Sequence, residues 1–503
     1  MLISKQRITE SILDTLARIQ RRSDVPQDVI YDLSVAATTL RHTQHVDISN
    51  GEDMRGYGKQ AVELLQAMTR SELITAVAKP KINPVLNTLI EAAKKIAAST
   101  LQGDALKQSF TAFLALLDQK LGEIAGIAPT IATPLLSSFA AQLLKQHNSL
   151  DLFGKPSENI AAEVSPGEPL TEANLTAYLQ HKLSDPTAAA KKVVTLSGGF
   201  GKETSLFTVT SKTLNADLVM RRDSPIDAFG GMDCHIAPRE YPLLKAVHAR
   251  GFPAPEPIFF EADSQEIEGP AFTIMRRAAG AVAGDATGGQ GKVPAELQRK
   301  LAQVTARLHS VAPLTELADI PAFEPSLWKK SASECTRSYL ESWYRHFRQT
   351  DHLPTPALHG LFNWLLAHVP AADEASTLIH GDIGFHNLLF NDGQLSAVLD
   401  WEFSHVGDPA EDIGYIRSVM GGQLDWARFI ADYGNAGRPI PSEERVRFFE
   451  IWSHVRNAAG SVTISNHFEA GRFRNIKYGM IIYRFVPHFI AQAEALIANY
   501  DKR

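Results

Sequence analysis

The chain has 503 residues, 44% of them hydrophobic and 21% charged, a composition ordinary for a globular protein and a length too great for one core. Its formal net charge of −6, without a long run of Lys and Arg, excludes the electrostatic footprint of a nucleic-acid binder or a polybasic membrane anchor. The two cysteines, Cys234 and Cys335, lie far apart, which argues against a disulfide framework and against a Cys-rich zinc site.

The opening segment, "MLISKQRITESILDTLARIQRR", carries charges throughout and reads as an amphipathic helix, not as a signal peptide. No stretch reaches the roughly 18 to 20 uncharged apolar residues of a membrane span without interruption, so a cytoplasmic protein is expected. Up to about residue 150 the apolar period is helical. Ile8, Ile12, Leu13, Leu16 and Ile19 share one face, as do Leu106, Phe110, Phe113, Leu114, Leu117 and Leu121. Residues 1–150 are therefore expected to form an all-α domain, a dimerisation element, lid or partner site with no chemistry of its own.

Residues 151–169, "DLFGKPSENIAAEVSPGEP", mix Pro, Gly, Ser and acidic residues without a period and read as a linker. A capped helix follows in "LTEANLTAYLQHKL", then two alternating strands around a Gly-rich turn in "KKVVTLSGGFGKETSLFTVTS", then a strand in "ADLVMRRDS". "APREYPLLKAVHARG" starts like a helix, with Glu240 on the face of Leu243, Leu244 and Val247. A carboxylate on an apolar face wants a cationic partner. "PAFTIMRRAAG" reads as an inward strand ending at Met275 and Arg276, and from about Pro294 the pattern is largely helical.

One stretch interrupts that helical half: "IHGDIGFHNLLFNDGQLSAVLDWE", residues 379–402. Two apolar runs flank Asp392-Gly393, a pair suited to the positive backbone angles of a two-residue hairpin turn. The simple register puts Asn387 opposite Val398 and leaves Asp400 about two residues, roughly 7 Å of strand, beyond it. An Asn oxygen and a carboxylate converging there suit one hard cation. Asp382, five positions before Asn387, is carried to the mouth of the same hairpin. Asp-x-x-x-x-Asn followed by a second Asp is the arrangement of kinase-type phosphoryl transfer. "GDPAEDIGYIRSV" then opens a helix, with Asp408, Pro409 and Glu411 at the cap, first and third positions.

With "HGD....N", "DWE" and "GDPAEDIGY", the chain resembles the aminoglycoside phosphotransferase and choline kinase family, relatives of the protein kinases. The wording of "LDWEFSHVGDPAEDIGY" is similar to the kinase domains fused to acyl-CoA dehydrogenases. The resemblance runs from about Leu170 to near the C-terminus. It implies an α+β, bilobal protein-kinase-like fold behind the all-α segment: a small β-rich lobe over 170–278 that binds nucleotide, and a mostly helical lobe over 279–503 with the catalytic loop and acceptor site. It further implies Asp382 as the catalytic Asp, Asn387 and Asp400 as Mg2+ ligands, and His380 and Asp412 as supports of the catalytic loop.

For the nucleotide, Gly198, Gly199 and Gly201 let backbone amides approach phosphates, and either Lys202 or Ser205 could reach a phosphate oxygen. Where kinases carry a strand Lys paired to a helical Glu, "LVMRRD" offers Arg221 and Arg222; the family pattern favours Arg221, partnered by Glu240. Met275 and Arg276 resemble the hinge that receives the purine. ATP is the expected donor, with GTP as the alternative.

From Arg456 to the end there are seven Lys and Arg against three Asp and Glu. That balance suits a neutral or anionic acceptor better than a polycationic one. The expected activity is phosphorylation of a small-molecule alcohol, with a hydroxy acid or hydroxyacyl-CoA ahead of an aminoglycoside. A nucleotide-binding scaffold is the non-enzymatic alternative.

Overall fold

The computed structural model describes residues 51–70, 79–101, 103–127, 169–196, 201–226, 235–283, 292–353, 355–469, 472, 481 and 485–500. The expected helix at residues 8–19, almost all of the 151–169 linker and the Gly198–Gly199 turn lie outside the described residues. The chain divides into two compact units: Met1–Glu163 with Leu340–Val369 and His454–Arg503, and Val164–Tyr339 with Pro370–Ser453. This division interleaves segments that a reading along the chain keeps apart. No helix of the described residues is long and apolar enough to cross a membrane.

In the first unit, α1 (Gly51–Arg70), α2 (Lys79–Ala97) and α3 (Gly103–Ile127) precede α8 (Pro356–Ala367) and α12 (Val486–Ile497). The stripe from Leu106 to Leu121 is buried along α3, which packs against α8. One acidic residue interrupts the apolar face. Asp118 Oδ1 accepts the backbone N–H of Thr355 at 3.0 Å, Oδ2 lies 3.0 Å from His352 Nε2, and His359 Nε2 lies 3.3 Å from Oδ1. Burial works against ionisation of Asp118, but His359 and His352 outweigh it and hold the carboxyl well below its usual range.

The second unit begins with α4 (Glu172–Leu183), whose N-terminus is closed by a reciprocal box: Asn174 N donates to Thr171 Oγ1, and Thr171 N donates to Asn174 Oδ1. A five-stranded antiparallel sheet follows, in the order β1 (Ala189–Leu196), β2 (Lys202–Thr210), β3 (Ala216–Asp223), β5 (Phe272–Arg276) and β4 (Pro257–Glu261). Helix α5 (Ala237–Ala249) packs on it. Leu175, Tyr178 and Leu179 of α4 bury against Phe207, Val209, Leu218, Met220, Phe272 and Ile274, one face of the alternating strands.

A second core joins α5 to the rest of this unit: β6 (Ala281–Val282), α6 (Ala295–Leu308), β7 (Thr377–Ile379), the hairpin β8 (Leu388–Asn391) and β9 (Gln394–Val398), β10 (His405–Gly407), α9 (Ala410–Met420) and α10 (Trp426–Asn435). Helices α7 (Ala332–Gln349) and α11 (Glu443–Glu469) complete the described α-helices and strands. Helix α9 starts near the expected position, with the cap shared differently: Asp408 Oδ1 accepts from Ala410 N at 2.7 Å, while Glu411 accepts from Trp452 Nε1 at 3.0 Å.

Candidate functional site

The β8–β9 hairpin turns where the sequence says. Asn391 pairs with Gln394, and Asp392 and Gly393 have φ of 48° and 72°, the left-handed pair of a two-residue turn that a β-branched residue would strain. Its register departs from the simple expectation. A bulge between Leu389 and Phe390 leaves Leu388 paired with Val398, and Leu399 N donates to Asn387 O at 2.8 Å. Asn387 thus faces Leu399, and Asp400 is one residue beyond it, not two. The extra residue is Ser396, whose hydroxyl donates to Ala279 O at 2.5 Å and to Leu389 O at 3.2 Å. Asp400 itself has φ 62°, a left-handed conformation rare outside Gly and costing about 1–2 kcal/mol.

The loop between β7 and β8 sets Asp382 beside this hairpin. Asn387 Nδ2 donates to Asp382 Oδ2 and to its backbone oxygen, both at 2.9 Å. The Tyr415 hydroxyl donates to Oδ1, and His386 Nε2 lies 3.2 Å from that oxygen. Burial raises the proton affinity of Asp382; His386 and the two hydrogen bonds to Oδ1 outweigh it and keep the carboxyl below its ordinary value.

Asp412 of α9 fixes the start of the loop. Its Oδ2 accepts from His380 N at 3.0 Å, its Oδ1 accepts from Gly381 N at 2.8 Å, and His309 Nε2 is 3.1 Å from Oδ2. His380 Nε2 sits 3.0 Å from Leu399 O, which ties the loop to the residue before Asp400.

A row of alternating charges leads away from Asp400. Arg221 Nη2 donates to Asp400 Oδ1 at 2.5 Å and Nη1 to Glu240 Oε1 at 2.9 Å; Lys202 Nζ donates to Glu240 Oε2 at 2.7 Å and lies 3.4 Å from Glu402 Oε2. Glu240 is buried on α5, as its apolar neighbours require. Arg222 points to the other face and pairs at 2.7 Å with Glu203, its cross-strand neighbour. Burial, and then the Asp400 carboxylate, push Glu402 up to about 7. Asp400 stays below its usual value because Arg221 and Lys202 outweigh its burial.

Sequence reasoning paired Glu240 with Arg221 and sent Lys202 to a phosphate. The pairing of Lys202 with Glu240 was missed, although the signal was present: Lys202 and Thr204 share a face of β2, and Thr204 lies opposite Arg221. Ser205 is buried, with Oγ 2.8 Å from Thr195 Oγ1 inside the sheet. Met275 is in the core, and the Arg276 guanidinium reaches outward to Glu256 at 2.7 Å. Gly199 lies outside the described residues.

The donors suit a hard cation. With Asn387 Nδ2 turned to Asp382, Oδ1 is the amide atom available as a ligand, and Asp400 brings a carboxylate from the next position of the hairpin. Among the described residues no group of three His, Cys, Asp or Glu is placed to hold a metal ion. A pair of oxygen donors suits an ion such as Mg2+, which keeps several waters and takes other ligands from phosphates.

An α+β chain carrying this carboxylate, amide and carboxylate set on a hairpin has the makings of a phosphoryl-transfer site. The model of the phosphotransferase enzyme family, APH, matches residues 192–449, and the chain belongs to that family. The unit that carries the site is accordingly protein-kinase-like, with a β-rich part followed by a mainly helical part.

The chain is 28% identical over 328 residues to acyl-CoA dehydrogenase family member 11 of Pongo abelii, covering 63% of this chain and 39% of that protein. The match to the Homo sapiens protein is 29% over 265 residues, 52% of this chain and 33% of the other. The chain thus spans two fifths or less of these relatives. Viomycin phosphotransferase of Streptomyces vinaceus is 26% identical over 179 residues, 35% of this chain and 58% of that one. Among solved structures, macrolide 2'-phosphotransferase of Brachybacterium faecium is 17% identical, covering 59% of this chain and 96% of the other with a TM-score of 0.41.

Proposed function

We propose that the chain is a small-molecule kinase that transfers the γ-phosphate of ATP to an alcohol hydroxyl. The observation that carries this reading is the meeting of Asp382, Asn387 and Asp400 at one end of the β8–β9 hairpin, with the Asp382 carboxylate oriented by Asn387. In the reaction a bond forms between the acceptor oxygen and the γ-phosphorus, the bond from that phosphorus to the β,γ-bridging oxygen breaks, and ADP leaves. Asp382 orients the acceptor hydroxyl and takes its proton. Asn387 and Asp400 would hold Mg2+, which when bound neutralises charge on the phosphates. Arg221, whose Nη2 donates to Asp400 while Nη1 holds Glu240, turns toward phosphate oxygens, and Lys202 keeps Glu240 compensated. We assign residues 170–278 to nucleotide binding and 279–503 to catalysis and acceptor recognition, with Gly199, Met275 and Arg276 lining the nucleotide.

For the acceptor, the excess of cations after Arg456 and the likeness to acyl-CoA dehydrogenase family member 11 over 63% of the chain favour an acid-bearing alcohol, a hydroxy acid or hydroxyacyl-CoA. The likeness to viomycin phosphotransferase supports an antibiotic acceptor as the second reading. Transfer from labelled Mg-ATP into a panel of hydroxy acids, hydroxyacyl-CoAs, sugars and aminoglycosides separates them. Phosphorylated hydroxyacyl products formed by wild type and not by Asp382→Asn are the expected result; preferential labelling of aminoglycosides would overturn the acceptor assignment. Nucleotide binding without transfer to any acceptor would favour a scaffold.

A further inference from the structure

A carboxylate that must meet an incoming hydroxyl has to present one oxygen lone pair in a fixed direction, and a rotation of the carboxyl plane spoils that aim. Asn387 holds Oδ2 of Asp382, which fixes one oxygen only. The other, Oδ1, meets His386 Nε2 of the same loop at 3.2 Å and a second donor from a different element. Tyr415, on α9, is 6% exposed and its hydroxyl donates to Oδ1.

The tyrosine is held in turn by the seating of its helix. A Cβ placed on the preceding residue, Gly414, would lie 2.6 Å from Phe449 Cβ, so α9 lies as close to α11 as backbone allows. Three residues before Tyr415 on the same helix, Asp412 receives the backbone N–H groups of His380 and Gly381. One helix therefore grips the loop at its start through Asp412 and at its reacting carboxylate through Tyr415.

We infer that Tyr415 is a positioning residue for Asp382: its hydroxyl fixes the plane of the carboxylate so that the remaining lone pairs face the acceptor hydroxyl. This rests on the catalytic role proposed for Asp382. Tyr415 touches neither nucleotide nor acceptor in this scheme, so its loss lowers kcat and spares KM for Mg-ATP.

The test uses the full chain, Mg-ATP as donor and water as acceptor, with ADP release as the readout for wild type, Asp382→Asn, Tyr415→Phe and the double variant. Tyr415→Phe keeps the ring and removes only the hydroxyl. The expected result is a kcat lower by about 10- to 100-fold, KM for Mg-ATP within about twofold, and less than about a twofold further loss when the change is added to Asp382→Asn.

A Tyr415→Phe kcat within twofold of wild type, or an undiminished loss in the Asp382→Asn background, overturns the inference while leaving the kinase reading intact. Equal ADP release by wild type and Asp382→Asn, with water alone and with each alcohol of the acceptor panel added, overturns the kinase reading itself and this inference with it. Should Tyr415→Phe fail to fold, 3-fluorotyrosine at position 415 alone keeps the size and sharpens the acidity of the donor. A kcat changed at least twofold with KM unmoved then supports the inference, and an unchanged kcat overturns it.

Discussion

At the residue scale the proposed mechanism divides the polar groups around Asp382 into those that meet the reactants and those that hold others still. Asp382→Asn keeps shape and neighbours while removing the proton acceptor, so kcat should fall by about 10²- to 10⁴-fold with nucleotide affinity retained. Initial rates and a nucleotide titration check this together. Lys202 behaves differently because it is buried against Glu240 and Glu402. Lys202→Met leaves Glu240 with Arg221 alone, and truncating one partner of a buried ion pair costs about 3–5 kcal/mol. Urea unfolding should show the midpoint drop before any assay is run; an unchanged midpoint would mean that Lys202 is dispensable for Glu240.

Much of this was legible in sequence. Asp382, Asn387 and Asp400 stand at fixed spacings, and Glu240 advertised its need for a cation by sitting among leucines. The contact of Tyr415 with Asp382 was not legible, since a tyrosine inside a helix carries no spacing signal and meets Asp382 only through the fold.

At the element scale the hairpin shows both the reach and the limit of pattern reading. Asp392-Gly393 named the turn, because few residue pairs accept two positive φ angles in succession. The bulge at Ser396 escaped, because one extra residue in a five-residue strand leaves the apolar pattern almost unchanged. It has a functional cost if removed. Deleting Ser396 should restore the regular ladder, shift Asp400 relative to Asn387 and abolish turnover while the far-ultraviolet circular dichroism stays near wild type; retained turnover would show that the bulge is incidental. Helix α9 is similarly exacting. Gly414→Ala places a methyl group against Phe449, and the overpacking should lower stability by about 1–3 kcal/mol, read as a fall in Tm.

At the scale of the whole molecule the helical N-terminal segment is better integrated than its sequence suggested. Helix α3 belongs to the same compact unit as residues 340–369, and Asp118 is bound to Thr355, His352 and His359. The apolar period announced the helix; nothing in the period announced its partner, which lies more than two hundred positions later. A chain beginning at residue 164 should therefore expose the α8 face and bind a hydrophobic dye, where the intact chain does not.

Asp118 also has a pH signature. Its carboxyl is held below the unfolded value of about 3.9, so its contribution is fully present above that pH and is lost as pH falls toward the folded value. Asp118→Asn should remove about 1–3 kcal/mol near neutrality and flatten the acid limb of the stability curve, as thermal unfolding from about pH 7 down to about pH 2 will show.

The alternating row from Asp400 through Arg221, Glu240 and Lys202 to Glu402 constrains descent as well as folding. Each inner member answers to two neighbours of opposite sign, so a substitution that is harmful alone can become neutral once its neighbour has changed. Changes to this row are therefore coupled, and the order in which two of them are made decides how unstable the intermediate is. With Lys202 already seated on Glu240, a change at position 221 leaves that buried carboxylate one cationic partner, whereas a change at Glu240 strands two cations at once.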